Sequence, residues 1–290
     1  GDELVVASGL TAVQEKRSEF ADHTILTWNG SIFANQNNVP VMLRNFVFVH
    51  AERDTARKKG KYAAIERTQY TDEMLAEIDA TYGEEAVRGA EPRYWDDVSI
   101  GDALPRMVRG PLLVADIIAV HMTDGPGFYG ALLSTKLAYK NRQRVPKFYS
   151  HNAFGAWDSA QRCHWDDEWA RAVGQPYAYD YGRMRDVWAT TMITNWAGDN
   201  SWLWKYRSSI RKFNYIGDTH WYTGTVVDKL EVDGLPVVQL EIDGRNQRWD
   251  TTITVRAEVI LPRAGTGRVP LPATPSGGNP MEMLQTLVRR

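Results

Sequence analysis

The second half of the chain has the clearest alternation of apolar and polar positions. From Met184 to Trp196 the chain is apolar on nearly every side of a helix, which predicts a helix wrapped by other structure. Four β-prone runs follow, at residues 201–215, 220–229, 236–242 and 251–261, with Gly217-Asp218, Asp233-Gly234 and Asp243-Gly244 as the turns between them. Long antiparallel strands around one buried helix predict an α+β domain.

The first sixty residues have weaker patterns. Residues 11–20 are compatible with a short helix, and residues 24–34 resemble two short strands around an Asn29-Gly30 hairpin turn. Residues 41–50 are apolar and β-prone, and residues 51–59 form a charged stretch that predicts a short helix. This part of the chain is therefore expected to mix helix and strand.

A helix is predicted from Thr71, which is followed by Asp72 and Glu73. Threonine caps the first N–H groups of a helix, and acidic residues in the first turn interact favourably with its dipole. The apolar content up to residue 93 is too thin for an independent core. Residues 1–93 are therefore predicted to be a mixed N-terminal extension that packs on a larger domain.

The middle of the chain predicts a turn at residues 97–104, a strand at 105–113 and an amphipathic helix at 114–122. Residues 125–163 lack a clear period and are interpreted as an insertion that covers a site, since long irregular loops in compact domains are usually functional. After residue 263 a Pro- and Gly-rich tail, 264–290, is expected to end in a short helix at 281–290.

Composition and charge exclude several classes of protein. The 290 residues are 43% hydrophobic and 24% charged, as in a folded protein, and the net charge of −2 provides no general attraction for nucleic acid.

One cysteine, Cys163, excludes an internal disulfide and fits a reducing compartment. No apolar run suggests a membrane segment or signal peptide, so a cytoplasmic protein is expected. No metal-ligand spacing and no phosphate-binding loop is present, so neither a metal nor a cofactor is predicted.

The segment from His164 to Gly182, HWDDEWARAVGQPYAYDYG, has the residues most suited to chemistry. A histidine exchanges protons near neutral pH and can act as a general base. Between the two ends, residues 166–173 predict a short helix. Gly182 begins the buried helix, where free N–H groups can stabilise a developing oxyanion.

The order of these segments resembles the hotdog fold of the MaoC-like acyl dehydratases and (R)-specific enoyl-CoA hydratases. The similarity covers residues 94–263 and implies an antiparallel sheet wrapped around a long buried helix. Residues 1–93, 125–163 and 264–290 lie outside it, as in a longer subgroup of these enzymes. The matching pieces are VSIGD at 98–102, VADIIA at 114–119, HWD at 164–166, Ala170, Gly174, Gly182, GDT at 217–219, NQ at 246–247 and AEVILP at 257–262.

The resemblance also implies roles for particular residues. In this family a loop of the form G-D-x-N-P-x-H supplies an aspartate and a histidine that share the catalytic water, and the histidine corresponds to His164. Spacing gives Asp158 as the nearest aspartate, but Asp124 takes that place if the insertion splits the motif. The helix-start glycine, whose N–H polarises the thioester carbonyl, corresponds to Gly182. Family members have Ala-His before this glycine, where this chain has Asp180-Tyr181, so Asp180 is a third candidate for the carboxylate.

Four further side chains are candidates for binding substrate. Tyr181 and Arg183 flank Gly182, while Tyr149 and Asn152 lie in the insertion, where an ordinary polar loop is the alternative role. Arg183 could equally pair with nearby acids. His121 falls on the apolar face of its helix and is expected in the core or an interface.

The resemblance therefore implies a hydro-lyase that adds or removes water at an α,β-unsaturated acyl thioester. One alternative keeps the fold and changes the reaction to that of a lyase, isomerase or thioesterase, with a cyclic or non-CoA substrate. The other is a non-catalytic subunit that binds an acyl ligand or acts as a scaffold, because the G-D-x-N-P-x-H pattern is broken. A homodimer formed through an exposed sheet edge is also expected.

Overall fold

A computed structural model describes residues 1–18, 21–51, 65–123 and 134–273. The chain forms two compact units, one of residues 1–64 with 272–290 and one of residues 65–271. These units divide between residues 64 and 65, and the predicted role of residues 1–93 as an extension stays a prediction. Residues 65–93 belong to the second unit because they contact its sheet and its long helix.

The first unit contains an antiparallel sheet of three strands in the order β1 (Val5–Ser18), β2 (Ala21–Ala34) and β3 (Pro40–Ala51). The strand predicted at 41–50 is thus confirmed. A helix is predicted over residues 11–20. For the described residues 11–18 this prediction is wrong, because β1 pairs with β2 up to Ser18. The hairpin turn predicted at Asn29-Gly30 is also wrong, since Gly30 pairs with Gly9 on one side and Asn45 on the other.

The second unit has the predicted α+β architecture. Its sheet has five antiparallel strands in the order β4 (Ala103–Arg109), β8 (His220–Val232), β9 (Leu235–Asn246), β10 (Thr251–Ile260) and β7 (Trp202–Ile210). Its elements are α1 (Asp72–Glu84), β4 (Ala103–Arg109), α2 (Val114–Thr123), α3 (Lys136–Arg144), β5 (Tyr149–His151), β6 (Trp157–Ser159), α4 (Asp167–Ala172), α5 (Gly182–Ala197), β7 (Trp202–Ile210), β8 (His220–Val232), β9 (Leu235–Asn246) and β10 (Thr251–Ile260).

The core lies between α5 and the sheet. Ala189, Met192, Ile193 and Trp196 of α5 are buried against apolar side chains of β4, β8, β9 and β10. Val187, in contrast, is 60% exposed, so the helix keeps one open side although its sequence is apolar nearly all round. Burial of α5 by the sheet fixes where its N-terminus, and hence Gly182, is placed.

Several local predictions are confirmed. The Thr71 hydroxyl accepts a hydrogen bond from the Met74 N–H at 3.3 Å and caps α1. Asp233 and Gly234 both have positive φ, at 53° and 77°, and form the tight turn between β8 and β9. The helices predicted at 114–122 and 166–173 correspond to α2 and α4.

The turn predicted at Asp243-Gly244 is wrong, because both residues pair inside β9. The glycine is required for a different reason. A Cβ at Gly244 would lie 2.5 Å from Cγ2 of Ile253 and 3.0 Å from the His220 ring, so only glycine allows these side chains to approach the strand.

The described part of the predicted insertion is not an irregular loop. It contains α3 and a small hairpin of β5 and β6. Residues 124–133, most of the helix predicted at 51–59 and the terminal helix predicted at 281–290 lie outside the described residues.

Candidate active site

His164 lies at the end of a short 3₁₀ turn, directly before α4. The side chain of Asp166 caps α4 by accepting hydrogen bonds from the N–H groups of Glu168 and Trp169, at 2.9 and 3.2 Å. His164 Nδ1 lies 2.8 Å from the carbonyl oxygen of Tyr179. Because a carbonyl only accepts, Nδ1 carries the proton in the neutral ring and Nε2 keeps its lone pair.

The environment of His164 keeps its imidazole neutral. Burial is the largest effect and lowers the pKa of His164 to about 4, with a smaller lowering from His121. Hydrogen bonds to the backbone of Tyr179 and Asp180 oppose this shift by raising the pKa. At neutral pH the ring is therefore an uncharged base with a fixed orientation.

Tyr181 connects His164 to a second histidine. Its ring stacks on that of His164 with the centroids 3.8 Å apart and 29° between the planes. Its hydroxyl lies 2.8 Å from Nδ1 of His121, a buried residue of α2. Trp165 contacts the His121 ring edge-on, with the centroids 5.1 Å apart. We call His121, Trp165, Tyr181 and His164 the ring cluster.

Gly182 is the first residue of α5 and follows the ring cluster directly. The N–H of a first helical residue has no acceptor within its own helix. Tyr181 precedes it with φ −76° and ψ 126° and provides no side-chain cap. A Cβ at Gly182 would lie 3.6 Å from Ile210, an ordinary contact, so packing alone does not require glycine here.

The carboxylate of Asp180 is bound by an arginine rather than by His164. Nε and Nη2 of Arg185 donate to its two oxygens at 2.7 and 2.5 Å, and both side chains are buried. Arg185 also donates from Nη1 to the carbonyl oxygens of Lys212 and Thr252, at 2.5 and 2.9 Å. Burial raises the pKa of Asp180, and the guanidinium of Arg185 opposes the rise. This arrangement is that of a structural ion pair.

The second candidate carboxylate, that of Asp158, forms its hydrogen bonds within the small hairpin. Asp158 lies in β6, where Oδ2 accepts from Asn152 Nδ2 at 3.3 Å and Oδ1 from the Ser159 N–H at 2.7 Å. Neither of these hydrogen bonds involves His164. Asp124 lies outside the described residues.

The substrate-binding candidates fall into two groups. Arg183 is at the ring cluster, with its guanidinium 5.2 Å from the Tyr181 ring centre and Nη2 donating to the Val120 carbonyl at 2.7 Å. Tyr149 and Asn152, in contrast, belong to the small β5–β6 hairpin. Tyr149 is buried there, and Asn152 Oδ1 accepts from the N–H groups of Phe154 and Ala156, both at 3.1 Å.

His121 is the residue of the site that the sequence did not indicate. The sequence predicts a core or interface position for His121 because its helix is amphipathic, and the residue is indeed buried. Its contact with Tyr181 joins residues 60 positions apart, so no local motif could show it. In the part of the chain that the structure describes, no group of three or more His, Cys, Asp or Glu residues could hold a metal ion. Nor is any described helix long and apolar enough to cross a membrane.

Comparison with known proteins identifies the fold. No family model and no curated protein matches the sequence. Among solved structures, a MaoC-like dehydratase is 15% identical with a TM-score of 0.55, covering 90% of this chain and 70% of its own. A MaoC-domain dehydratase from Chloroflexus aurantiacus is 13% identical with a TM-score of 0.50, covering 91% and 72%. The unliganded (R)-hydratase PhaJ1 from Pseudomonas aeruginosa is 12% identical with a TM-score of 0.42, covering 66% and 98%.

The chain therefore has the hotdog fold of the MaoC-like dehydratases, and this prediction from the sequence is confirmed. Identities of this size establish the fold and not the reaction, because one fold can host different activities.

Proposed function

We propose that this protein is a hydro-lyase that adds water to, or removes it from, an α,β-unsaturated acyl thioester. The observation that supports the proposal best is the placement of His164. This neutral imidazole, with its proton fixed on Nδ1, stacks on the residue that immediately precedes the N-terminal glycine of α5.

The two groups have complementary tasks in this reaction. Nε2 of His164 takes a proton from water as the water oxygen bonds to the β-carbon. The N–H of Gly182, at the positive end of the helix dipole, stabilises the enolate-like oxygen that develops on the thioester carbonyl. Arg183 and Tyr181 flank this position and are proposed to contact the substrate.

Asp124 and Asp158 are the two carboxylates proposed as partners of His164. The ion pair with Arg185 argues against Asp180, because both of its oxygens are already engaged. Tyr149 and Asn152 have structural tasks in their hairpin, which favours the polar-loop role over substrate binding.

The assembly and domain roles are also proposals. A homodimer would form through an edge strand, β4 or β7, of the five-stranded sheet. The N-terminal part would serve as an extension of the catalytic domain. The substrate is proposed to be a small acyl thioester, with no nucleic acid or membrane partner.

A panel of crotonyl-like thioesters tests the proposal. Hydration is followed by loss of the enoyl absorbance, and free thiol is titrated in the same samples. Hydration without thiol release supports the hydro-lyase, whereas thiol release identifies a thioesterase. Calorimetric binding of a thioester without turnover would identify an acyl-binding subunit. Failure of every thioester to bind or react would contradict the proposal and favour a non-CoA or cyclic substrate.

A further inference from the structure

We propose that the Tyr181 hydroxyl, held by His121, is the acid that protonates the α-carbon, in place of a carboxylate. This inference rests on the proposed hydration reaction. It concerns the second of the two proton transfers that such a reaction needs, after His164 has taken a proton from water.

The aspartates around His164 in the described chain have other tasks. Asp180 is paired with Arg185, and Asp158 accepts from Asn152 and from a backbone N–H. Asp166 caps α4, and Asp167 binds Arg67 at 2.5 Å and the Ala178 N–H at 2.9 Å. Each of these four carboxylates contributes to structure, so we do not assign any of them as the acid.

Tyr181 has the position that an acid requires. Its ring lies on the base His164, and the next residue is the oxyanion donor Gly182. Its side chain is only partly buried, as are His164 and Gly182, so the three groups can meet one substrate. The phenol thus lies beside both groups that act on the thioester.

His121 gives the phenol a partner suited to proton transfer. Burial and the nearby charge of Arg183 lower the pKa of His121, so its ring is neutral at neutral pH. In the tautomer with a proton on Nδ1, His121 donates to the Tyr181 oxygen, and the phenol proton points elsewhere. After transfer, the same N–H stabilises the phenolate. The Arg183 guanidinium, 5.2 Å from the Tyr181 ring, adds a favourable charge.

The proton balance of the reaction closes. Water loses a proton to Nε2 of His164 while its oxygen bonds to the β-carbon, and the π electrons form the enolate. The α-carbon then takes the Tyr181 hydroxyl proton, which leaves a phenolate. The proton on His164 returns to the phenolate through solvent. Both groups are restored, and one water has been added.

The test compares Tyr181→Phe with the wild type and with Tyr177→Phe. Tyr177 packs against Tyr215 and Arg67 and has no part in the proposed chemistry, so it is a matched control. We expect Tyr181→Phe to lower kcat by about 100-fold with little change in KM, because one acid–base group is lost. His121→Phe, which keeps a ring but no hydrogen bond, should lower kcat by a smaller factor, and His121→Asn should restore part of that loss.

A deuterium isotope effect separates chemistry from structural damage. Dehydration of a 3-hydroxyacyl thioester deuterated at the α-carbon should show a larger primary effect in Tyr181→Phe, because breaking that C–H bond becomes more rate-limiting. Activity within threefold of the wild type, or lost activity with an unchanged isotope effect, would overturn the inference.

The inference would also be overturned if Asp124→Asn enlarged the isotope effect while Tyr181→Phe did not. In these cases an active wild type still supports the hydro-lyase. A wild type without turnover of any thioester would overturn both proposals.

Discussion

The ion pair between Asp180 and Arg185 is predicted to stabilise the fold and not to transfer protons. Replacing Asp180 by Asn keeps the size of the side chain but leaves the Arg185 guanidinium buried without its counter-charge. Both residues are 2% exposed, and two Arg185 nitrogens bind the carboxylate at 2.7 and 2.5 Å. Removing one partner of such a pair costs about 3–5 kcal/mol.

The assay is unfolding in urea followed by tryptophan fluorescence, with thermal unfolding alongside. A loss of this size lowers Tm by roughly 6–20 °C for a domain of this length. Glu241→Gln is the matched control, because Glu241 pairs with Arg256 at 2.8 Å on the exposed sheet surface. Surface pairs contribute at most about 1 kcal/mol, so the control should unfold close to the wild type.

The double variant Asp180→Asn with Arg185→Met should recover part of the lost stability, since it no longer buries an unpaired charge. A loss below about 1 kcal/mol in Asp180→Asn would contradict the assignment. Combined with a kcat reduced by 100-fold or more, that result would instead make Asp180 the catalytic carboxylate.

Three further predictions concern single positions. Gly244→Ala should lower the free energy of unfolding by about 1–3 kcal/mol, because the new Cβ would lie 2.5 Å from Ile253. Gly83→Ala in α1, whose Cβ would meet nothing within 4 Å, should instead raise it by up to about 1 kcal/mol. Unfolding in urea checks both predictions. Thr71→Ala should cost about 1 kcal/mol in the same assay through the lost cap, and Thr71→Ser should not. In the unfolded chain His164 has its ordinary pKa of 6.5, whereas in the folded protein its pKa is about 4. The unfolded state therefore binds more protons between these values, so the free energy of unfolding should fall as the pH drops from 6.5 to about 4. His164→Asn should reduce that fall by up to about 3 kcal/mol, and an unchanged slope would contradict the pKa assignment.

The elements predicted well are those whose signals are local. The apolar helix after Gly182, the cap at Thr71 and the Asp233-Gly234 turn each depend on residues within a few positions of one another. Turn and cap residues act on the backbone of their near neighbours, so a short stretch of sequence is enough to predict the turn or the cap.

The predictions of secondary structure that are wrong share a different cause. Residues 11–18 contain Gln, Glu, Lys and Arg, which favour a helix in isolation, yet they pair with β2. Asn29-Gly30 and Asp243-Gly244 resemble turns, but neighbouring strands on both sides hold them extended. Long-range pairing overrides local propensity at these positions, and sequence periodicity does not report it.

The candidate site was predicted in part. His164, Gly182 and Tyr181 lie together because one segment carries all three, as the sequence indicated. The role of Asp180 depends on its ion pair with Arg185, five residues further along the chain, and the role of His121 depends on Tyr181, 60 positions away. Packing decides that the buried Asp180 is paired with Arg185 and that the buried His121 contacts Tyr181.

The most direct test of the central claim is the turnover of an enoyl thioester by His164→Ala. His151→Ala is the matched control, since the His151 ring contacts the Trp157 ring, with the centroids 4.2 Å apart, and is not part of the ring cluster. Circular dichroism and the oligomeric state establish that both variants are folded. We predict that His164→Ala loses hydration by at least about 100-fold while His151→Ala retains it. Hydration by folded His164→Ala at the wild-type rate would contradict the account.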